Sequence, residues 1–159
     1  MLDIARISLL LIETEQAALE VCRDMIALHF PKLIVHAASD PDAALTLFKD
    51  QKHDIVVSDV CLPSEDGIRI AREMCSEKPD TLVLFITADP SLNRHIIEPF
   101  ATELCLKRII DKPLNIEELL SSISKAVEII ENRDNHRTFI TDVNCQYRED
   151  GREASRFSQ

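Results

Sequence analysis

Glycine is nearly absent from this chain: Gly67 and Gly151 are the only two in 159 residues. Tight hairpins draw on glycine at positive φ, so this shortage disfavours an antiparallel sheet. It also excludes a glycine-rich phosphate loop, and with it the common nucleotide-binding enzymes. No apolar run approaches the roughly 18 residues that a membrane span needs. The opening MLDIARISLLLIE has the outline of a signal peptide, but its apolar run is short, contains Ser8 and ends at Glu13 with no small-residue cleavage site. It reads as a strand. Positive charge is scarce too: 18 Lys and Arg against 28 Asp and Glu give a net charge of -10. Such a chain repels nucleic-acid phosphates, which argues against direct DNA or RNA binding. The five cysteines (Cys22, Cys61, Cys75, Cys105, Cys145) are odd in number, widely spaced and without a C-x-x-C pair. Free thiols in a reducing cytoplasm are expected.

What is present is a core and an alternation. The chain is 45% hydrophobic and 29% charged, and long enough for one domain. Apolar strands are predicted at residues 7–12, 33–37, 55–58, 81–86 and 106–110. Helices are predicted at 15–30, from 41 to about 49, at 67–77, at 89–104 with Pro99 as a kink or end, and from 116 to about 131. Ala18, Cys22, Met25 and Ile26 share a face of the first helix. Ser39-Asp40-Pro41-Asp42 has the form of a capping box, and Asn115 caps the last helix with Glu118 three residues on. The stripe of that helix is Ile116, Leu119, Leu120, Ile123, Val127 and Ile130. It is first of all core, and its extension points to a partner-binding or dimer helix. Five strands alternating with five helices make a doubly wound α/β parallel sheet. The expected division is a folded domain over residues 1–131 and a flexible polar tail or linker stump over 132–159.

In a parallel sheet the residues just past each strand collect on one edge. Residues 55–67, IVVSDVCLPSEDG, are the most telling. A run apolar on both faces reads as a buried strand, and it ends in Asp59. Pro63 and Gly67 shape the loop to the next helix. The other strand ends supply Glu13 and Thr14, Thr87, and Lys112-Pro113. A central aspartate, a further acid, a hydroxyl and a lysine are what phosphoryl transfer to a carboxylate requires.

Over about residues 5–130 the chain resembles the receiver domain of two-component response regulators. The resemblance is carried by Asp59-Val60-Cys61-Leu62-Pro63-Ser64-Glu65-Asp66-Gly67 against the family pattern D-x-x-M-P-x-x-[DN]-G, with Leu62 for methionine, together with Thr87-Ala88 and Lys112-Pro113. It implies the flavodoxin-like, CheY-like fold with strand order 2-1-3-4-5. It implies that Asp59 accepts phosphate from a histidine kinase, a phosphotransfer protein or a small phosphodonor. Lys112 would pair with the phosphoryl group, and Thr87 would turn its hydroxyl toward it and start the switch. Mg²⁺ would be held by Glu13, Asp59 and the backbone carbonyl of Cys61. The Lys112-Pro113 bond would be cis, as is frequent in the family. The domain would be a cytoplasmic signalling module that catalyses its own phosphotransfer and dephosphorylation, acting on a downstream protein target or effector domain.

Two positions depart from the family. The second acid after the first strand is Thr14, a neutral residue, which weakens Mg²⁺ binding; capping the first helix is its structural role. The switch aromatic is Ile109, which has no phenol hydroxyl to expose. These departures keep open a second reading, a phosphorylation-independent pseudo-receiver that works as a protein–protein interaction module. An aspartyl phosphatase of the D-x-D type fails because Cys61 stands where its general acid belongs. The five histidines (His29, His36, His53, His95, His136) show no metal-site spacing and are expected at ordinary, partly exposed positions. With no recognisable output domain following, the expectation is a stand-alone receiver or the receiver portion of a longer protein, and the opening methionine favours a native N-terminus.

Overall fold

The computed structural model describes residues 6–62, 65–89 and 106–153. In chain order the elements are β1 (Ser8–Ile12), α1 (Gln16–His29), β2 (Ile34–Ala38), α2 (Pro41–Gln51), β3 (Ile55–Asp59), β4 (Cys61–Leu62), β5 (Glu65–Asp66), α3 (Gly67–Glu77), β6 (Leu82–Thr87), β7 (Leu106–Asp111) and α4 (Ile116–Glu153). Five strands form one sheet in the order β2-β1-β3-β6-β7, and every pairing in it is parallel. Counting only these strands, the order is 2-1-3-4-5, the flavodoxin-like fold. The chain leaves β1 toward β2 and then crosses back to β3. The crevice where the direction reverses lies at the carboxyl ends of β1 and β3.

The sheet is central because its strands are apolar on both faces. All five residues of β3 and all six of β6 are buried. One face carries Leu10, Ile12 and Val56, packed with Ala44 and Phe48 of α2 and with Ile70 and Met74 of α3. On that same face Val83 and Phe85 pack with Val60, Ile68, Ala71 and Cys75. The alternate residues Leu9, Leu11, Ile55, Val57 and Leu84 point the other way and are equally buried. Helix α1 buries Leu19, Cys22 and Ile26. Met25, placed on that face by the sequence, instead joins Val21 and Leu28 in an exposed apolar row at i, i+4 and i+7.

Helix ends follow local chemistry, with one shift from expectation here. Asp40 rather than Ser39 is the N-cap of α2, its Oδ1 accepting the Ala43 N–H at 2.8 Å, and Pro41 opens the helix. Asn115 Oδ1 accepts the Glu118 N–H at 3.2 Å as expected. The loop after Asp59 holds a small antiparallel pairing, Cys61 with Asp66 and Leu62 with Glu65. The helix expected at residues 89–104 lies outside the described residues, apart from Asp89.

The chain divides into two units, residues 1–126 and 127–159. In the first, α4 buries Leu119, Ile123 and Ala126. In the second, helix continues through residues 127–153, where the sequence predicts a flexible tail from Asn132. From Asn132 on, the sequence does not sort polar and apolar residues at helical spacing, so periodicity gives no sign of the helix there. The absence of proline after Pro113 was the available signal. Among the described residues no helix is long and apolar enough to cross a membrane.

Candidate functional site

Three charged side chains meet at the crevice. Glu13 follows β1, held by a bond from its N–H to the Ala38 carbonyl at 3.2 Å. Asp59 is the last residue of β3, and its backbone carbonyl accepts the Ser58 hydroxyl at 2.9 Å. Lys112 follows β7, its N–H bonded to the Thr87 carbonyl at 2.7 Å, and the Lys112-Pro113 peptide is cis. The Lys112 ammonium donates to Asp59 Oδ2 at 2.6 Å and to Glu13 Oε2 at 3.4 Å. Both acids are only 6% exposed.

Each of the four carboxylate oxygens has a donor from the chain itself. Asp59 Oδ1 accepts the Cys61 N–H at 3.0 Å, and Glu13 Oε1 accepts the Glu15 N–H at 3.2 Å. That second bond corrects the cap of α1. Glu15 is the N-cap residue and makes no side-chain cap bond, and Thr14, half-buried, does not take the role the sequence gives it. Burial pulls the Lys112 pKa down, but the hydrogen bond and charge of Asp59, with Glu13 behind, outweigh it and hold the ammonium above its ordinary value. The pair reaches into the core below: burial pushes the Cys22 thiol up, Glu13 adds to the rise and Lys112 opposes it.

Thr87 ends β6 and is fully buried. Its hydroxyl accepts the Asp89 N–H at 3.1 Å and donates to the Asp89 carbonyl at 3.3 Å, so it faces its own turn and not the carboxylates. Ile109, on β7, packs half-buried against the cluster of Val60, Ile68, Val83 and Phe85. Cys61 contributes backbone to the site while its side chain is exposed. Sequence reasoning missed Ser58, and it missed why Gly67 must be glycine. A Cβ at Gly67 would lie 2.5 Å from the Asp59 carbonyl oxygen and 2.8 Å from that of Val60. Gly67→Ala is therefore expected to lower stability by about 2 kcal/mol, an overpacking cost of up to about 3 less roughly 1 from reduced chain entropy. It should also slow any chemistry at Asp59, because the clash is with backbone that cannot rotate away. Denaturant midpoints and phosphate uptake, measured together, check both.

Among the described residues no group of three His, Cys, Asp or Glu side chains is arranged to hold a metal ion. Mg²⁺ binds commonly through one or two carboxylates and keeps several waters. Glu13 and Asp59, with a backbone carbonyl, are residues that would hold an ion in that way, and Lys112, which already contacts Asp59 Oδ2 and Glu13 Oε2, would compete for the same oxygens.

Residues 9–124 match the family described as the response regulator receiver domain. Among curated proteins the chain is 30% identical over 95 residues to the positive alginate biosynthesis regulatory protein of Pseudomonas aeruginosa, covering 60% of this chain and 36% of that one. It is 29% identical over 115 residues to response regulator MprA of Mycobacterium sp. (strain KMS), covering 72% and 48%. The chain thus spans less than half the length of these relatives. Among solved structures, the signal receiver domain of an HD domain-containing protein from Pseudomonas fluorescens Pf-5 superposes with a TM-score of 0.67 at 27% identity, covering 77% of this chain and 95% of that one. A receiver domain protein from Clostridium thermocellum gives 0.68 at 22% identity over 79% and 97%, a likeness of fold. An acidic crevice closed by a lysine, on this sheet order and over this span, makes the chain a member of the response regulator receiver domains of two-component signalling.

Proposed function

We propose that Asp59 is the phosphoacceptor of this receiver. The observation that carries the reading is the Lys112 ammonium at 2.6 Å from Asp59 Oδ2, with Glu13 on the same cation. A carboxylate oxygen of Asp59 attacks phosphorus, its bond to phosphorus forms, and the bond to the donor's leaving atom breaks. Lys112 then neutralises part of the charge on the transferred group. Mg²⁺ held by Glu13, Asp59 and the Cys61 carbonyl would offset the rest. Thr87 exchanges its Asp89 contact for the phosphoryl oxygen, and Ile109 moves inward behind it to change the surface that a downstream target or effector domain reads. The donor is a histidine kinase or phosphotransfer protein in the cytoplasm, which suits the reduced thiols of Cys22 and Cys61. The exposed row Val21, Met25 and Leu28 on α1 suits a helical partner. A second copy of the chain is the further candidate partner.

The second reading is a module that needs no phosphorylation. It is favoured by Thr14 and by the four carboxylate oxygens already satisfied from within the chain. One experiment separates the two. The protein is incubated with acetyl phosphate, with and without Mg²⁺, and weighed by mass spectrometry before and after hydroxylamine. A Mg²⁺-dependent, hydroxylamine-labile gain of one phosphate supports the acceptor; none at any Mg²⁺ concentration, from folded protein, supports the module.

Thr14→Asp is expected to tighten Mg²⁺ binding by about tenfold. A carboxylate near 4 Å from a divalent cation is worth at most roughly 8 kcal/mol at an effective dielectric of 20, and about a sixth of that at a wet strand edge is a factor of ten. Calorimetric titration reads it directly, and a change below about twofold would remove Thr14 from the metal's surroundings.

A further inference from the structure

The buried imidazole of His53 contradicts the expectation that every histidine here is partly exposed, and it has no role in the phosphoryl site. His53 sits between α2 and β3 and is 0% exposed. His36 sits mid-strand in the edge strand β2, opposite Leu10 of β1. Their ring atoms, His36 Nδ1 and His53 Nε2, are 2.8 Å apart, with the rings edge to face at 87°. The His53 ring also lies against Phe48 of α2, and its backbone carbonyl accepts the Thr81 hydroxyl at 3.0 Å. Its other nitrogen, Nδ1, is buried with no hydrogen-bond partner.

Proton counting selects one arrangement. If His36 Nδ1 donated, the proton of neutral His53 would sit on Nδ1, a buried donor with no acceptor, which proteins rarely tolerate. The favourable state has His53 Nε2–H donating to His36 Nδ1, leaving only a bare acceptor at His53 Nδ1. One added proton destroys this. On His36 Nδ1 it removes the acceptor and forces the His53 proton onto the orphan side. On His53 it places a charge in the core.

We infer that the His36–His53 pair is an acid-sensitive latch that holds β2 and the end of α2 against β1, and that one added proton opens it. Both ends of the latch run to the site's framework. Two residues beyond His36, the Ala38 carbonyl seats the Glu13 N–H. Next to His53, Asp54 accepts the Ser8 N–H at 2.9 Å and pairs with Lys78 from the end of α3. The charged groups around the latch are Asp54, Lys78 and the Lys52–Glu77 pair. Burial and then His36 push the His53 imidazole down to about 4, with Lys78 reinforcing and Asp54 opposing. A histidine lowered in this way favours folding fully above its unfolded value near 6.5, and loses that contribution as pH falls toward the folded one. The inference stands whether or not Asp59 accepts phosphate.

The test uses the full chain. Long-range ¹H–¹⁵N NMR should find His53 as the Nε2–H tautomer with a midpoint below 5. Amide exchange at pH 4.5 against pH 7.5, corrected for the intrinsic rate, should speed at least tenfold in β2 and stay unchanged in β3 and β6. In His36→Gln the side-chain carbonyl accepts from His53 without taking up a proton, so the acid response of β2 should shrink. A His53 midpoint near 6.5, an Nδ1–H tautomer, or β2 exchange with the same pH response in both proteins would overturn the latch. If the variant does not fold, the tautomer and midpoint in the native chain decide.

Discussion

Asp59→Asn is expected to take up no phosphate from acetyl phosphate at any Mg²⁺ concentration, while remaining folded. The neutral amide is not a nucleophile toward phosphorus at neutral pH, and no other carboxylate in the crevice is contacted by Lys112 as closely: Glu13 Oε2 is at 3.4 Å against 2.6 Å for Asp59 Oδ2. The fold should survive for a local reason. An asparagine Oδ1 still accepts the Cys61 N–H, and Ser58 still holds the residue's backbone carbonyl. Lys112 loses its nearer partner but keeps Glu13, and the repulsion between two buried carboxylates disappears. The net stability change should stay within about 1 kcal/mol, read from a thermal melt. A labile phosphate on this variant would mean that a different side chain accepts it.

Lys112→Ala should slow phosphate uptake by about 100-fold or more, the usual loss when one preorganised donor to a developing negative charge is removed. It should also cost stability. Breaking a buried ion pair by deleting one partner costs roughly 3–5 kcal/mol. Lys112 is 31% exposed, so water reaches the remaining carboxylates and about 2 kcal/mol is the expected figure. The pH dependence has a definite sign. Because the folded value of Lys112 is raised, its contribution is fully present below the ordinary lysine value of about 10.5 and is lost as pH rises through the folded one. The native protein should therefore weaken in strong alkali by a step that the alanine variant lacks. Denaturant titrations from pH 8 to 12 would show it, and parallel curves for the two proteins would refute the ion pair's part in stability.

Much of this site was legible in the chain because its physics is local. Asp59 stood out since residues 55–57 are apolar on both faces, as a central parallel strand requires, so the first charged residue after them had to fall near the sheet's edge. Glu13 and Lys112 followed by the same rule. What was illegible depends on contacts and elements that the local sequence pattern does not mark. Thr14 looks like a helix cap, yet the Glu13 carboxylate takes the Glu15 N–H from across the turn. His53 stands in the polar run QKHD and looks exposed, yet the left-handed residue Lys52 turns the chain inward and Phe48, His36 and Thr81 close over it. The helix over residues 132–153 lacks the periodicity by which helices are recognised.

The contact between Glu13 and Lys112 joins residues 99 positions apart. A chain still emerging from the ribosome, with β1 and β3 already made, would hold both acids but no cation between them, because Lys112 arrives only after β7. The crevice is thus completed by the last strand of the sheet and not by any hairpin or local turn. The three charges come together only in the finished sheet, so a copy cut before β7 holds two neighbouring carboxylates with no lysine between them.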